Sequence, residues 1–203
     1  MKIICIGRNY VEHAKELNNE IPSEPVVFFK PDTALIRGGE DFYLPDFSTD
    51  IHHELELVVK ISKNGKNIDK KFAHRYYEEI TLGIDFTARD IQQKMKEKGL
   101  PWERAKAFDG SAPIGSFVSK SKFTDVQNVQ IELKINGQSR QNSSTSLMLY
   151  PIDVIIENVS KFVTLKTGDL IFTGTPSGVG SVKKGDVLEG FLNNEKLISF
   201  QIK

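Results

Sequence analysis

Two segments in which acidic and apolar residues alternate restrict the fold more than any other feature of the sequence. Successive side chains of a β-strand point to opposite faces, so Glu54 and Glu56 share one face of the first segment. Asp85 takes the corresponding position in the second segment, opposite its apolar neighbours. The apolar faces comprise Leu55, Leu57, Val59 and Ile61 in the first segment and Ile80, Leu82, Ile84 and Phe86 in the second. The pattern predicts two strands that each bury one face and carry carboxylates on the other.

If these two strands are neighbours, Glu54, Glu56 and Asp85 meet beside apolar surface. Carboxylates in that position would repel one another and lose hydration, so they require a compensating cation. Three oxygen donors that leave room for water and substrate suit Mg²⁺ or Mn²⁺. The simpler alternative is a strand with a solvated acidic face.

The composition favours a single domain, residues 1–203, long enough to enclose one sizeable core. The chain has 27 Lys and Arg residues against 27 Asp and Glu residues, so no basic surplus is available for nucleic acid. The lone cysteine, Cys5, lies in an apolar run and is expected to be buried. No segment resembles a signal peptide or a membrane span. We therefore expect a cytoplasmic protein that is not associated with membranes.

A short helix is predicted from Tyr10 to Leu17. Asn9 and Glu12 are spaced as an N-cap and its capping-box partner. His13 and Glu16 lie three residues apart, which places them on one helix face within hydrogen-bonding reach. So short a helix is marginal in water, and we expect it to order as a lid over bound ligand. The alternative for His13 is an ordinary surface histidine.

Two longer helices are predicted, from about Ala88 to Lys98 with Thr87 as N-cap and from about Ile152 to Phe162. Arg89 and Gln92, three residues apart, project toward the region of the acidic strands. Arg89 could hold an anionic substrate by charge-assisted hydrogen bonds, or it could be an ordinary surface arginine.

Two lysines occupy contrasting contexts. Lys30 ends an apolar strand pattern, where a lysine is expected to reach solvent. Lys106 lies between Trp102 and Phe108, whose burial would hold its amine in place. Further along, the glycine-rich segment 173–180 lacks the lysine of a P-loop and is interpreted as a turn. Its backbone N–H groups and the Thr175 hydroxyl could bind a carboxylate.

The Asn-Gly pairs at Asn64-Gly65 and Asn136-Gly137 predict two tight hairpins. Together with many short strand patterns and few helices, they indicate a mixed, β-rich α+β fold.

Taken together, these stretches resemble the fumarylacetoacetate hydrolase family, in particular its short acylpyruvase and oxaloacetate decarboxylase members. The matching segments follow one another in order over almost the whole chain. They are Gly7-Arg8-Asn9-Tyr10 with His13 and Glu16, His53-Glu54-Leu55-Glu56-Leu57, Asp85-Phe86-Thr87-Ala88-Arg89-Asp90 with Gln92, Pro101-Trp102 through Lys106-Ala107-Phe108-Asp109, and Thr173-Gly174-Thr175-Pro176-Ser177-Gly178-Val179-Gly180.

The resemblance implies a rolled β-sheet structure with few short helices, usually in a homodimer. It implies that Glu54, Glu56 and Asp85 bind Mg²⁺ or Mn²⁺. By the same resemblance, His13 and Glu16 form a water-activating dyad on a lid, and Lys106 is a catalytic or substrate-polarising cation. The implied substrate contacts are Arg89, Gln92 and Thr175.

The expected activity is hydrolysis of the C–C bond of 2,4-dioxo acids to pyruvate and a carboxylic acid. A His–Glu dyad is what hydrolysis needs, because it can activate water. Oxaloacetate decarboxylation is an alternative that uses the same enolate stabilisation without attacking water. Isomerisation or tautomerisation of a keto acid is a third possibility, and a catalytically silent metal-binding protein is a fourth.

Overall fold

The computed structural model describes residues 1–16, 20–37 and 39–203 of the chain. The strands in these ranges are β1 Ile3–Gly7, β2 Val26–Lys30, β3 Leu35–Ile36, β4 Ile51–His53, β5 Leu55–Ile61, β6 Tyr77–Ile84, β7 Thr87–Ala88, β8 Ala112–Pro113, β9 Val118–Ser119, β10 Gln130–Ile135, β11 Gln138–Ser144, β12 Leu170–Phe172, β13 Gly180–Ser181, β14 Val187–Leu192 and β15 Glu195–Gln201. The α-helices are α1 Val11–Glu16, α2 Lys70–Ala73, α3 Arg89–Glu97, α4 Glu103–Lys106 and α5 Ile152–Phe162. The predicted β-rich fold with few short helices is confirmed.

A six-stranded sheet in the order β2-β1-β12-β5-β6-β9 forms the centre of the fold. Strands β1 and β12 run parallel, whereas β5 pairs antiparallel with β12 on one side and β6 on the other. The two acidic segments are therefore neighbours, as the alternation pattern requires. The sheet is mixed because the β1–β12 pair is its one parallel pairing among the described residues.

A four-stranded antiparallel sheet, β11-β10-β14-β15, packs against the central sheet. Leu55 and Leu82 of the central sheet share a core with Leu133 and Ile198 of the second sheet. On the opposite face of β5, Val58 packs with Phe172 in a second, smaller core. Because β5 is covered on both faces, polar groups at its start are removed from solvent as well.

Only one of the two Asn-Gly pairs forms a tight hairpin. Asn136 and Gly137 connect β10 to β11 with positive φ angles of 53° and 77°, as a two-residue turn requires. The prediction for Asn64-Gly65 is wrong, since α2 and the surrounding loops separate β5 from β6. Gly65 instead exchanges backbone hydrogen bonds with Leu165, a hundred residues further along the chain.

The helices at 152–162 and near 89–97 confirm two of the predicted elements, but their predicted caps are wrong. Helix α3 begins after Ala88, and the Thr87 side chain donates to the Asp85 carbonyl instead of capping the helix. The Asn9 side chain bonds the backbone of Tyr150 and Thr173 instead of capping α1. The predicted end of α1, Leu17, lies outside the described residues. None of the described helices has the length and apolar character needed to cross a membrane.

Candidate active site and metal centre

Strand pairing brings the three predicted carboxylates together. Leu55 of β5 lies opposite Ile84 of β6, and the Asp85 amide donates to the Glu54 carbonyl at 2.8 Å. One oxygen from each of Glu54, Glu56 and Asp85 lies within 4.8 Å of the others. All three side chains are buried. The alternative of a solvated acidic face is therefore wrong.

Two buried lysines compensate Asp85 from different sides. Lys106, on α4, donates from Nζ to Oδ2 of Asp85 and to Oε2 of Glu54, each at 2.7 Å. Burial alone would lower the pKa of Lys106, but the charges of Asp85 and Glu54 outweigh it and raise that pKa. On the other side, Nζ of Lys30 lies 2.8 Å from Oδ1 of Asp85. The expectation that Lys30 reaches solvent is wrong, because this strand end meets the cluster instead of the surface.

Glu54 is also bound by Arg89. The Arg89 Nη2 donates to Oε1 of Glu54 at 2.5 Å, and Nη1 donates to Oε1 of Gln92 at 2.6 Å. Burial alone would raise the pKa of Glu54, yet Lys106 and Arg89 hold that pKa well below its usual range. Arg89 and Gln92 thus project together into the site, where Arg89 contacts a carboxylate of the protein itself.

Glu56 is the least compensated member of the cluster. Its Oε2 accepts a hydrogen bond from the Gly174 amide at 2.7 Å, which is the one partner described for this carboxylate. Burial, followed by the charges of Asp85 and Glu54, raises the pKa of Glu56 well above its usual range. A buried, acid-only donor set with excess negative charge is what a hard divalent cation would neutralise. The three carboxylates therefore fit Mg²⁺ or Mn²⁺.

The Gly174 amide reaches Glu56 because the loop after β12 passes very close to the start of the chain. Gly174 has a φ of +101°, and a Cβ at this position would lie 2.5 Å from the Asn9 Cβ. The Asn9 Nδ2 donates to the Thr173 carbonyl at 2.7 Å. Asn9 therefore fastens the segment before α1 to the loop that supports the carboxylates.

His13 and Glu16 form the predicted pair on α1, with Nδ1 of His13 3.4 Å from Oε2 of Glu16. Because a carboxylate only accepts, this contact places the proton on Nδ1 and leaves Nε2 basic. Burial lowers the pKa of His13 and outweighs the opposing effects of Glu54 and Glu16. Glu16 is itself held by the Gly178 amide, at 3.1 and 3.3 Å from its two oxygens. The arrangement is suited to a neutral histidine base.

Gln141 is a buried site residue that sequence reasoning did not identify. Its Nε2 donates to Oγ1 of Thr175 at 2.7 Å, and its Oε1 accepts from the Leu55 amide at 2.9 Å and faces Nδ1 of His53 at 3.1 Å. Gln141 thereby ties the four-stranded sheet to the start of β5 and fixes Thr175. Its position within the polar run after Gly137 carried no signal of this role.

These groups surround one small cavity. The cavity has a volume of about 30 Å³, and its walls include all three carboxylates, His13, Arg89, Gln92, Thr175 and Lys106. Arg8, Lys96 and Trp102 complete one side of it. A larger groove of about 610 Å³ lies elsewhere, beside Arg140 and Asp186, and contains none of the three carboxylates. The chemistry that the residues can support is therefore concentrated in the smaller cavity.

Comparison with known proteins gives consistent matches along the chain. The sequence model of the fumarylacetoacetate (FAA) hydrolase C-terminal region matches residues 2–197. Oxaloacetate tautomerase FAHD1, mitochondrial, of Mus musculus is 43% identical over 201 residues, which cover 99% of this chain and 91% of that protein. Oxaloacetate decarboxylase, mitochondrial, of Dictyostelium discoideum is 46% identical over 189 residues, which cover 93% of this chain and 87% of that protein.

Among solved structures, fumarylpyruvate hydrolase from Pseudomonas aeruginosa in complex with Mn²⁺ and pyruvate superposes with a TM-score of 0.94 at 35% identity. The match covers 100% of this chain and 89% of the Pseudomonas chain. Since both the family sequence model and relatives above 40% identity span nearly the full length, the chain belongs to the fumarylacetoacetate hydrolase family.

Proposed function

We propose that the protein catalyses keto–enol tautomerisation of oxaloacetate, with decarboxylation of oxaloacetate as the closest competing reaction of the same site. The observation that carries this proposal is the convergence of a neutral base, two cations and three buried carboxylates on one cavity. The names of the mouse and Dictyostelium relatives support oxaloacetate as the substrate. This proposal places tautomerisation ahead of the hydrolysis expected from the sequence.

Glu54, Glu56 and Asp85 would hold the divalent cation, Mg²⁺ or Mn²⁺. When bound, such an ion supplies Lewis-acid stabilisation of negative charge on a 2-oxo oxygen. The Mn²⁺ and pyruvate of the Pseudomonas structure support both the metal and a 2-oxo acid ligand.

His13 is the residue we assign to proton transfer. In the keto-to-enol direction its Nε2 accepts a proton from C3 of oxaloacetate, and the C–H electron pair forms the C2=C3 double bond. The C2 oxygen then takes a proton from the Lys106 ammonium, and exchange with water restores both side chains. Glu16 holds the imidazole through Nδ1 and stabilises its charged form.

Decarboxylation differs in the bond that breaks. The C3–C4 bond is lost instead of a C3–H bond, so CO₂ leaves and the same enolate forms without any base. Lys106 and Arg89 serve both reactions because they face the negative charge of the substrate. Removal of His13 therefore separates the two reactions.

The test follows the enol absorbance of oxaloacetate and the release of pyruvate on one preparation of Mg²⁺-loaded protein. We expect faster enol–keto conversion than in buffer, loss of this acceleration with EDTA, and loss in the His13→Ala variant. The exposed His74 provides a matched control, since His74→Ala should keep the parent rate. No acceleration over buffer by the parent protein would contradict the proposal.

Hydrolysis of acylpyruvates is the second candidate, and the His13–Glu16 pair is the observation that favours it, because the pair can also activate water. Pyruvate release from an acylpyruvate in the same assay distinguishes it from the first candidate. Hydrolysis at a rate far above enol–keto conversion would reverse the order of the two.

A further inference from the structure

Two cations of the cavity stand apart from the ion pairs around the carboxylate cluster. Those pairs use Lys30, Lys106 and Arg89, which are three positive charges for the three carboxylates. Arg8 and Lys96 line the same cavity beyond these pairs. We call Arg8 and Lys96 the outer cation pair. A bound divalent cation would add further positive charge, so the cavity would then favour a ligand with more than one negative charge.

Arg8 is held in a conformation that its local sequence does not favour. Its φ is +58°, in the left-handed region that non-glycine residues rarely adopt. Its Nε is buried and has no hydrogen-bond partner among the described residues, and none of the ion pairs described for this part of the chain includes Arg8. A buried guanidinium nitrogen without an acceptor is costly unless a ligand supplies one.

Trp102 positions the outer cation pair. The Arg8 Cζ lies 5.9 Å and the Lys96 Nζ 5.8 Å from the centroid of the Trp102 ring. Both cations therefore rest near one aromatic surface, at distances where a ring attracts positive charge. Lys96 comes from the last turn of α3 and Arg8 from the turn after β1, so two separate elements converge here.

Trp102 is also one aromatic layer away from the carboxylate cluster. Its ring packs edge-on against Phe28 at 6.1 Å, and the Phe28 ring lies 5.3 Å from Nζ of Lys106. Lys106 in turn contacts Glu54 directly. The order from the cluster outward is thus Lys106, Phe28, Trp102 and then the outer cation pair.

The electrostatics of Lys96 agree with this geometry. Burial, followed by the charges of Arg8 and Arg89, lowers the pKa of Lys96. Positive charge is therefore concentrated on this side of the cavity. An apolar ligand tail placed here would leave that charge uncompensated, whereas a carboxylate would neutralise it.

We infer that Arg8 and Lys96 bind the second carboxylate of a short 2-oxo dicarboxylate whose 2-oxo acid end faces the metal ligands. This inference rests on the proposed function, because oxaloacetate has such a second carboxylate and a simple acylpyruvate does not. It assigns to the outer cation pair the selection of dicarboxylates over monocarboxylates.

The test uses two four-carbon ligands that differ at one end. Oxaloacetate carries a carboxylate at C4, whereas 2-oxobutanoate carries a methyl group there. Trp102 is the only tryptophan of the chain, so its fluorescence reports occupancy beside the outer cation pair. Stopped-flow titrations of Mg²⁺-loaded protein give both dissociation constants before turnover matters.

We expect Arg8→Gln to raise the dissociation constant of oxaloacetate about 10- to 100-fold, as expected for loss of a hydrogen bond to a charged group. The constant for 2-oxobutanoate should change by less than about 3-fold, because its methyl end forms no charge-assisted bond. Arg8→Lys should restore part of the preference. Lys96→Gln, on a different element, should repeat the selective loss and guards against misfolding of the Arg8 variants.

The control variants are Arg75→Gln and Lys94→Gln. Arg75 also lies over an aromatic ring, Phe72, and Lys94 is on the same helix as Lys96, but both are exposed and absent from the cavity. Equal weakening of both ligands by Arg8→Gln and Lys96→Gln, or no weakening of either, would overturn the inference. If the parent protein fails to accelerate enol–keto conversion yet loses its oxaloacetate preference in Arg8→Gln, the proposed function fails and this inference stands.

Discussion

The ammonium of Lys30 lies 2.8 Å from Oδ1 of Asp85, and the two side chains are 0% and 1% exposed. Lys30 also donates to the Ser111 carbonyl and hydroxyl, at 3.1 and 2.9 Å. The pair therefore connects the end of β2 to the residue after β6 and to the loop that follows α4. Asp85 is thereby held in place from the side opposite to Lys106.

Replacement of Lys30 should destabilise the fold strongly. Lys30→Met leaves Asp85 with less compensation for its buried charge, which typically costs about 3–5 kcal/mol of unfolding free energy. Lys60→Met is the matched control, because Lys60 forms a 2.7 Å pair with Glu79 in which both side chains are more than a third exposed. That control should lose less than about 1 kcal/mol. Urea unfolding measures both, and equal losses would contradict a structural role for the Lys30–Asp85 pair.

The carboxylate cluster should bind one divalent cation, with Glu56 as its most sensitive member. Glu56→Gln keeps the shape of the side chain but removes the charge for which the structure describes no cationic partner. Loss of a direct ligand should weaken Mn²⁺ binding by at least about 100-fold, the upper range for groups one shell further out. Glu189→Gln, near the surface, serves as control. Calorimetry that shows unchanged Mn²⁺ affinity in Glu56→Gln would remove Glu56 from the ligand set.

His13 should separate proton transfer from ligand binding. His13→Ala should slow enol–keto conversion by about 10²- to 10⁴-fold, the usual contribution of a positioned base. Decarboxylation and oxalate affinity should change much less, because neither needs a base. All three are measured on one preparation of the variant. A collapse of oxalate affinity together with activity would make His13 a binding residue instead.

Local patterns predicted the parts of the site that lie on regular strands. Glu54 and Glu56 alternate with buried leucines, and this two-residue period holds wherever β5 is placed in the sheet. The Asn-Gly pair at 136–137 also formed its hairpin, because its flanking strands pair directly. The equivalent pair at 64–65 did not, since its backbone pairs with the distant Leu165.

Contacts between distant segments could not be predicted from the sequence. Lys30 looks like any strand-end lysine until the carbonyls of Lys106 and Ser111 are placed around its ammonium, some eighty residues later. Gln141 is likewise one of several polar residues in its strand, and its bond to the Leu55 amide spans 86 residues. Both roles depend on how the sheets pack, which no local spacing encodes.

Asp153 should make stability depend on pH in acid solution. It lies in the first turn of α5, its Oδ1 is buried without a hydrogen bond to the described residues, and burial raises its pKa from 3.8. A carboxyl with a raised folded-state pKa stabilises the fold while protonated, and this contribution is lost as pH rises through that pKa. Asp153→Asn should therefore increase the unfolding free energy at pH 7, by at most about 1 kcal/mol for this partly buried group.

The advantage of Asp153→Asn should disappear when the measurement is repeated near pH 3. Asp69→Asn should show the opposite trend, because a hydrogen bond from the Lys71 amide lowers the pKa of Asp69. Its substitution should cost stability at pH 7 and become neutral in acid. Parallel pH profiles for the two variants would contradict the assignment.

Helix α1 should open to admit ligand and close over it. The cavity of about 30 Å³ that α1 covers has room for about one water molecule, which is too little for a four-carbon dicarboxylate. His13 and Ala14 on α1 are buried, but the helix has only 6 residues. Its described link to the opposite loop is the pair of hydrogen bonds from the Gly178 amide to Glu16. So short a helix is marginal alone, and opening it breaks few contacts.

Hydrogen exchange of the Mg²⁺-loaded protein with and without oxalate tests this motion. Oxalate at 100 times its dissociation constant should slow exchange of the α1 amides by up to about 100-fold if the closed state alone binds it. The amides of β5, buried on both faces, should exchange slowly in both samples. Glu16→Gln should weaken the contact with Gly178 and speed α1 exchange in the free protein. Equal α1 exchange with and without oxalate, at concentrations where calorimetry shows oxalate bound, would mean that ligand enters through another wall of the cavity.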